Sequence, residues 1–507
     1  MASQVAAATA GQTVCLASGD YSGFKGTSKS APGITITSAP GARVTFNSGI
    51  TLDLSSVQNF ALDGTGGGGT MTVGGALDME TGGDVLQNKA LNLTFQNINF
   101  AGGGTVLIRG PENSNIVFNR DTFVAGNANC ANGGSPSGLS GIFYLLYSTA
   151  TSTTQSGVTV ENSVFVAPTD LWNPYRAMQT GSPLTVENNV FVGFLDHTDA
   201  ASCNHVDTLQ LFSGTPGTYG GVTFTGNLCY DDYGCMMAFD GTSDNRITDN
   251  ACFDLEQNCV ILYSDKGSVV NHNTQQTGAG DRSGCSSEPT IQACTSSTLF
   301  ENGHKPGDPA SSGETYANNI DGSGPNIGDT GSLTTNTNNM WSGASSPNIS
   351  GSPTFVGGTH PTTWAGFELT SGSAGHNGGS DGLDVGIRGS AGGPPTGGGS
   401  APVNTVAPSL RGSTVKGQTL STTDGTWTIT GNVPTVTTYQ WFDCPTSTFS
   451  AGSCTPIQPH TSPTSVNDPT YTLQASEVGR YVFSEVTVTN ANGQVNAVSN
   501  AAGRVSS

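Results

Sequence analysis

Between Phe194 and Gly214 the chain collects Asp196, His197, Asp199, His205, Asp207 and Gln210 in one stretch, FLDHTDAASCNHVDTLQLFSG. The next two segments add Asp231 and Asp232 in YDDYGCMMAFDG and Glu256 in FDLEQNCVILYSD. Laying DTLQLFSG over GCMMAFDG over NCVILYSD sets Thr208 on Cys235 on Cys259. By counting, His205, Asp232 and Glu256 then share one column, and Asp207, Gly234 and Asn258 the next. On neighbouring strands ~4.8 Å apart, Asp232 and Glu256 are stacked carboxylates about 5 Å from each other, with Asp207 roughly 8 Å from Asp232. Two acids so placed cannot both ionise cheaply, so one keeps its proton and can act as general acid while another activates water. A carboxyl separation of ~6.5 to 9.5 Å leaves room for that water and goes with inverting hydrolysis of a glycosidic bond.

These positions make Asp232 the expected acid, Asp207 the base or water-positioner and His205 an orienting partner, with Asp231 and Glu256 beside them. No cofactor is required. The alternative gives Asp207, Asp231, Asp232 and Glu256 to Ca²⁺, with Arg176, Arg246 or Lys266 as the base of an elimination. Trp172 and Tyr175 could stack on sugar rings, as could the column Phe212, Phe239 and Tyr263, while Arg176, His197, Gln210 and Lys266 complete the expected substrate-binding set. The bland reading of the same residues is a solvated polar face with a supporting aromatic ladder. Zinc is set aside, because His197, Cys203, His205 and Cys235 fit no zinc-ligand spacing.

Columns of this kind need a scaffold that repeats. One apolar residue, a short polar stretch often ending in Asn, and a second apolar residue recur in FQNINF (Phe95 to Phe100), FNRDTF (Phe118 to Phe123), VENSVF (Val160 to Phe165), VENNVF (Val186 to Phe191), FTGNLC (Phe224 to Cys229), ITDNAC (Ile247 to Cys252) and VNHNT (Val270 to Thr274). Three of the steps are 23 residues and the others 42, 26 and 38, so one unit is about one turn of a β-solenoid carrying loops of varied length. Such units bury a core only by stacking. The expected inward columns are Phe95, Phe118, Val160, Val186, Phe224, Ile247, Val270 and Phe100, Phe123, Phe165, Phe191, Cys229, Cys252. Asn189, Asn227, Asn250 and Asn273 share one register, where a side-chain amide can satisfy a turn's backbone groups rung after rung.

Over roughly residues 10 to 390 this pattern resembles the right-handed parallel β-helix of the pectate-lyase and polygalacturonase superfamily. The resemblance implies a polysaccharide substrate. Polygalacturonase-like hydrolases carry Asn-x-Asp before one strand and an Asp-Asp pair about a rung later; HVD (His205 to Asp207) and Asp231-Asp232 stand in similar places, with His205 where the family has Asn. Neither the GHG nor the RIK motif of polygalacturonases is present. The segments SPTFVGG and WAGFELTSGSAGHNGGSDGLDVGIRG are similar to closing segments of secreted β-helix proteins, which makes Asp381 and Asp384 cap residues expected to lie over the last rung.

Residues 1-389 are thus expected to form the β-helix and 390-402, SAGGPPTGGGSAP, a Gly/Pro/Ser linker. Residues 403-507 then form a small immunoglobulin-like β-sandwich with Trp441 in its core and a local Cys444–Cys454 disulfide, resembling modules appended to secreted bacterial proteins. The fold class is all-β. With 16 Lys+Arg against 37 Asp+Glu and a net charge of −21, nucleic acid is a poor partner, and no apolar run is long enough for membrane insertion. Eleven cysteines in such a chain favour an oxidising, extracellular compartment, although no leader of basic and apolar regions precedes Val5. Cys229 over Cys252 and Cys235 over Cys259 read as stacked core thiols or disulfides, and Cys285 and Cys294 flank a short loop. A non-catalytic adhesin remains a third class, against which stands the gathering of acids and histidines beside one loop.

Overall fold

The computed structural model describes residues 1–47, 51–64, 70–79, 90–100, 106–109, 113–125, 141–146, 157–167, 176–180, 183–194, 208–211, 219–230, 232–239, 241–253, 255, 258–276, 298–359, 361, 363–389, 402–429, 435–450, 453–457, 469–490 and 493–507. The chain divides into two compact units, one reaching Pro395 and the other running from Thr396 to Ser507.

In the first unit successive strands visit three faces in turn and then return to the first, one rung lower. The result is three parallel sheets of 12, 10 and 11 strands. The first runs from Thr13–Leu16 to Leu333–Thr337, the second from Gly19–Tyr21 to Thr274–Gln276, and the third from Phe24–Lys25 to Asn326–Ile327. This is the parallel β-helix expected from the repeats. Its core includes the two inward columns: every one of their thirteen residues is at most 1% exposed. Phe100, Phe123, Phe165 and Phe191 stack with ring centroids 4.8, 4.3 and 4.8 Å apart, so identical side chains at the rung spacing make offset aromatic pairs. At the open upper end the helix Ala2–Ala7 tucks Val5 into the interior, and Lys29 Nζ donates to the carbonyls of Ala6 and Ala8 at its C-terminus.

The corner between the first and second sheets explains the asparagines. Each rung places one residue in the left-handed region there: Asn188, Gly226, Asp249, His272, Asn318 and Asn338 have φ of 55° to 65°. The next residue points inward as Asn189, Asn227, Asn250, Asn273, Asn319 or Asn339. Each of these accepts the backbone N–H of its counterpart one rung up, or of Ser163 above Asn189. Each also donates to a strand carbonyl of that upper rung: Asn227 to Val186 at 3.0 Å, Asn250 to Phe224 at 2.9 Å. The ladder therefore satisfies buried backbone groups that the turn cannot.

The closing segment departs from expectation. Instead of lying over the last rung, it runs back along this corner in reverse order. Asn338 donates to Gly378 O, Asn318 to Ser380 Oγ, His272 lies between Gly386 O at 3.1 Å and Asp381 at 3.0 Å, and Arg388 forks onto Asp249. Asp381 is indeed a structural residue. It binds three rungs above the end because the left-handed turn residues present a row of outward polar groups there.

The second unit consists of small antiparallel sheets. Thr435–Cys444 pairs with Tyr481–Asn490 and Thr455–Pro456, and Gly493–Val498 joins the far side of Tyr481–Asn490. A second sheet holds Leu410–Arg411, Thr419–Thr422 and Thr470–Thr472, and a third pairs Val403–Val406 with Thr426–Thr428. Leu420, Trp441, Leu473, Val482 and Val505 form one core across them, with Trp441 where the sequence places it. Cys444 and Cys454 are bonded. Among the described cysteines Cys15 is free.

Candidate functional site

On the third sheet Leu209 pairs with Met236, Met236 with Val260 and Val260 with Phe300. The amide of Leu209 donates to Cys235 O and that of Met236 to Cys259 O, so Thr208, Cys235 and Cys259 stack as counted from the sequence. Along these strands Leu209 and Leu211, Met236 and Ala238, Val260 and Leu262 fill the core. The alternate positions form an outer column, Gln210, Met237, Ile261 and Glu301. Gln210, Met237 and Ile261 are nearly closed to solvent, at 6, 2 and 2% exposure, whereas Glu301 is half-buried.

Glu301 is the described acid that this face holds ready. The Tyr263 hydroxyl donates to Oε1 at 2.6 Å and the Asn258 amide to Oε2 at 2.5 Å. Asn258 is oriented in turn by Thr298, whose backbone N–H donates to its Oδ1 at 2.7 Å. Tyr263 packs edge-on against Phe239 with ring centroids 5.1 Å apart. Burial, and then the Glu301 carboxylate it faces, push its phenol up to about 12, so it stays a donor. A carboxylate with one donor on each oxygen is fixed in direction.

Asp232 occupies a different place from the groove acid expected. It is 0% exposed, and its oxygens accept the Phe194 amide at 2.9 Å and the Thr208 hydroxyl at 2.8 Å. Tyr233 N–H returns a bond to Phe194 O. The carboxylate thus ties the end of the Val190–Val192 segment to the start of the Leu209–Leu211 strand, the two ends of the long acid-bearing stretch.

Of the other expected residues, Gln210, Phe239 and Tyr263 lie on this outer face, and Phe239 and Tyr263 touch. Lys266 lies past the strand end, exposed, on Asp265–Lys266, which pairs with Thr242–Ser243. Arg176 opens the strand Arg176–Thr180 of the same sheet, opposite Gly141. Asp207, Asp231, Glu256, His205, His197, Trp172, Tyr175 and Phe212 lie outside the described residues, as do three of the four candidate calcium ligands. Glu301 escaped the sequence reading, and Asn258 entered it only as a column mate of Asp207 and Gly234. The signal was there: STLFENG (Ser297 to Gly303) is a fourth copy beneath NCVILYSD, displaced by the intervening stretch that holds Cys285 and Cys294.

The stacked cysteines are paired within rungs, Cys229 with Cys235 and Cys252 with Cys259, and not between them. Each bond closes the short connection between a second-sheet and a third-sheet strand of one rung. The sulfurs of Cys229, Cys235 and Cys252 lie within 4.8 Å of one another, a closeness that the stacking of two such bonds accounts for. No helix among the described residues is long and apolar enough to cross a membrane.

No protein-family model matches the chain, and no curated protein does. Among solved structures, a PL6 alginate lyase in complex with a trisaccharide is 13% identical with a TM-score of 0.34, over 67% of this chain and 55% of that one. Pectate lyase Pel9A is 16% identical with a TM-score of 0.35, over 76% and 89% of the two chains. A PL6 family polysaccharide lyase from Pseudopedobacter saltans is 11% identical with a TM-score of 0.37, over 68% and 90%. The chain thus spans about half the length of the first of these. Likeness at this level carries no argument about chemistry or substrate.

Proposed function

We propose that the protein is a secreted polysaccharide-cleaving enzyme that binds its substrate at the Glu301 end of the outer face of the third sheet and hydrolyses a glycosidic bond there. The observation that carries this reading is the Glu301 carboxylate, half-buried on that face and held by Tyr263 and Asn258. Glu301 serves as the ionised partner of an acid/base pair, activating water or stabilising positive charge at the sugar. Asp207 and Asp231 are the proposed sources of the second carboxyl group. Asp232 is then a positioning residue: Asp207 precedes Thr208, which Asp232 binds, and Asp231 precedes Asp232 itself. Gln210 and Phe239 border the same face. No cofactor is part of this reading.

One observation favours a second reading, elimination from a uronic-acid polymer. Arg176, which begins a strand of the same sheet, is the candidate base of that reading, with Ca²⁺ held by Asp207, Asp231 and Glu256. A panel of neutral and uronic polysaccharides, followed in parallel for reducing ends and for ultraviolet absorbance of unsaturated ends, with and without EDTA, separates the two. Reducing ends without absorbance are the expected result. Absorbance lost in EDTA would move the reading to elimination, and silence across the panel would remove the enzyme.

A further inference from the structure

We propose that the C-terminal unit carries its own carbohydrate-binding site, an aromatic platform of Trp427 and Tyr439 pinned by Asp424, which takes the pyranose rings of a neutral polysaccharide. The proposal rests on a polysaccharide being the substrate, and it concerns a unit with none of the groups assigned to the reaction. Asp424 precedes Gly425, which turns at φ 78°, ahead of the strand Thr426–Thr428. Its backbone carbonyl accepts the Trp427 indole N–H at 2.7 Å, and its Oδ1 accepts the Tyr439 hydroxyl. One exposed residue thereby satisfies the polar edge of two aromatic rings that both stay partly open to solvent.

Neither ring is needed for the core. That role belongs to Trp441, 7% exposed and packed on Tyr471 at 5.7 Å. Val403, Val406 and Ile429, on or beside the strands that hold Trp427, are 51, 58 and 39% exposed, so the apolar character continues along this edge of the unit. Exposed apolar surface with fixed aromatic rings is a recognition surface. Rings whose orientation is already fixed lose little further freedom on binding. A pyranose offers what such rings accept, a flat apolar C–H face with hydroxyls around its rim, and Asp424 can accept a hydroxyl beside them. The Asp424 carboxylate at the platform disfavours a polyanion there, which selects a neutral chain. Tethering such a site to a cleaving unit raises the local concentration of substrate without a new contact at the reaction centre.

The test is native affinity electrophoresis of the full-length chain in gels containing xylan, β-glucan, galactomannan, pectate or alginate. Running it in the Glu301→Gln background keeps the polymer intact and makes retention independent of turnover. Retardation by at least one neutral polymer, weakened tenfold or more by Trp427→Ala and partly by Tyr439→Phe, is expected, with turnover of short soluble oligosaccharides by Trp427→Ala otherwise unchanged. Near-ultraviolet circular dichroism and a Trp427→Phe variant, which keeps an apolar ring, guard against misfolding. Equal retention of wild type and Trp427→Ala, retention by uronic polymers alone, or no retention at all would overturn the proposal. Retention that depends on Trp427 in a protein that cleaves nothing would keep the platform and remove the enzyme.

Discussion

A single carboxylate tests the proposed chemistry most directly. Glu301 lies on the sheet's surface with its hydrogen bonds coming from side chains, so Glu301→Gln keeps the size while removing the charge and one of the two acceptors. It is expected to lower kcat by 100-fold or more with little change in KM or in the melting temperature. Tyr263→Phe removes one charge-assisted bond, worth about 1.5–3 kcal/mol, and should cost roughly 10- to 100-fold. Steady-state kinetics on the substrate found by the panel checks both, and full activity of Glu301→Gln would sink the assignment. A second carboxylate tests the ladder. Asp121 takes the ladder position two rungs above Asn189, accepting Ile98 N–H at 2.8 Å, but its buried Oδ2 has no partner among the described residues. In the rungs below, the amide nitrogen at that place donates to a carbonyl of the rung above. Oδ2 can do so only when protonated, and burial does hold the Asp121 carboxyl well above its usual range. Asp121→Asn supplies a permanent donor and should add roughly 1–2 kcal/mol of stability. A folded-state pKa above the unfolded one means stability lost as pH rises, so calorimetry should find the gain larger at pH 8 than at pH 4.

Among the elements, the closing segment is the one whose attachment can be weighed. Asp249 is 1% exposed, and the Arg388 guanidinium is its charged partner, forking onto both oxygens. Arg388→Ala leaves that carboxylate buried and uncompensated. A loss of roughly 3 kcal/mol is expected, with faster hydrogen exchange at His272 and Asn318 but not at Asn189; unchanged melting and exchange would show that the segment does not brace the rungs. The contrast between rungs and attachments also shows how legible the chain was. Rung residues were readable because each column repeats one kind of side chain, apolar or Asn, at one place in a short motif: Phe95 over Phe118 and Asn227 over Asn250 appear in the sequence as they appear in space. Even the stack of Thr208, Cys235 and Cys259 followed from counting. What did not repeat was not readable. Burial of Asp232 depends on Phe194, separated from it by the long stretch, and Glu301 was hidden behind residues 277–297. Cysteine pairing within rungs depends on how sharply the chain bends between sheets, which spacing along the axis does not encode.

For the whole molecule, pH is the variable on which these local features act together. In the lower rungs, the corner between the third and first sheets buries three carboxyl groups, Asp265, Glu314 and Asp329, at 1, 1 and 7% exposure. Asp265 accepts Ser268 Oγ at 2.7 Å and its backbone N–H, Asp329 takes His304 at 2.6 Å and Ser311 N–H, and Glu314 takes the Asn302 amide on Oε2 while Oε1 has no partner among the described residues. Burial, and then the Asp265 charge, lift Glu314 to about 7; burial, only partly offset by the Ser268 bonds, lifts Asp265 to about 6. Both folded values exceed those of the unfolded chain, so the fold binds these protons more tightly than the coil does. Their contribution is complete below about pH 4 and is lost as pH climbs through about 6 to 7. The opposite holds for Asp381. Burial raises it, but the Leu383 N–H and His272 outweigh that and keep it below its usual range, so its contribution is lost on acidification. Stability should therefore peak on the acid side of neutrality and fall by on the order of 5 °C in melting temperature between pH 5 and pH 8 at constant ionic strength. Asn302, which holds Glu314 inside, adjoins Glu301 outside on the strand Phe300–Gly303, so loosening of this corner reaches the candidate site directly. Glu314→Gln removes the titrating group while keeping an acceptor for Asn302, and should flatten the decline in melting temperature and in activity together. A decline equally steep in that variant would place its origin elsewhere in the net charge of −21.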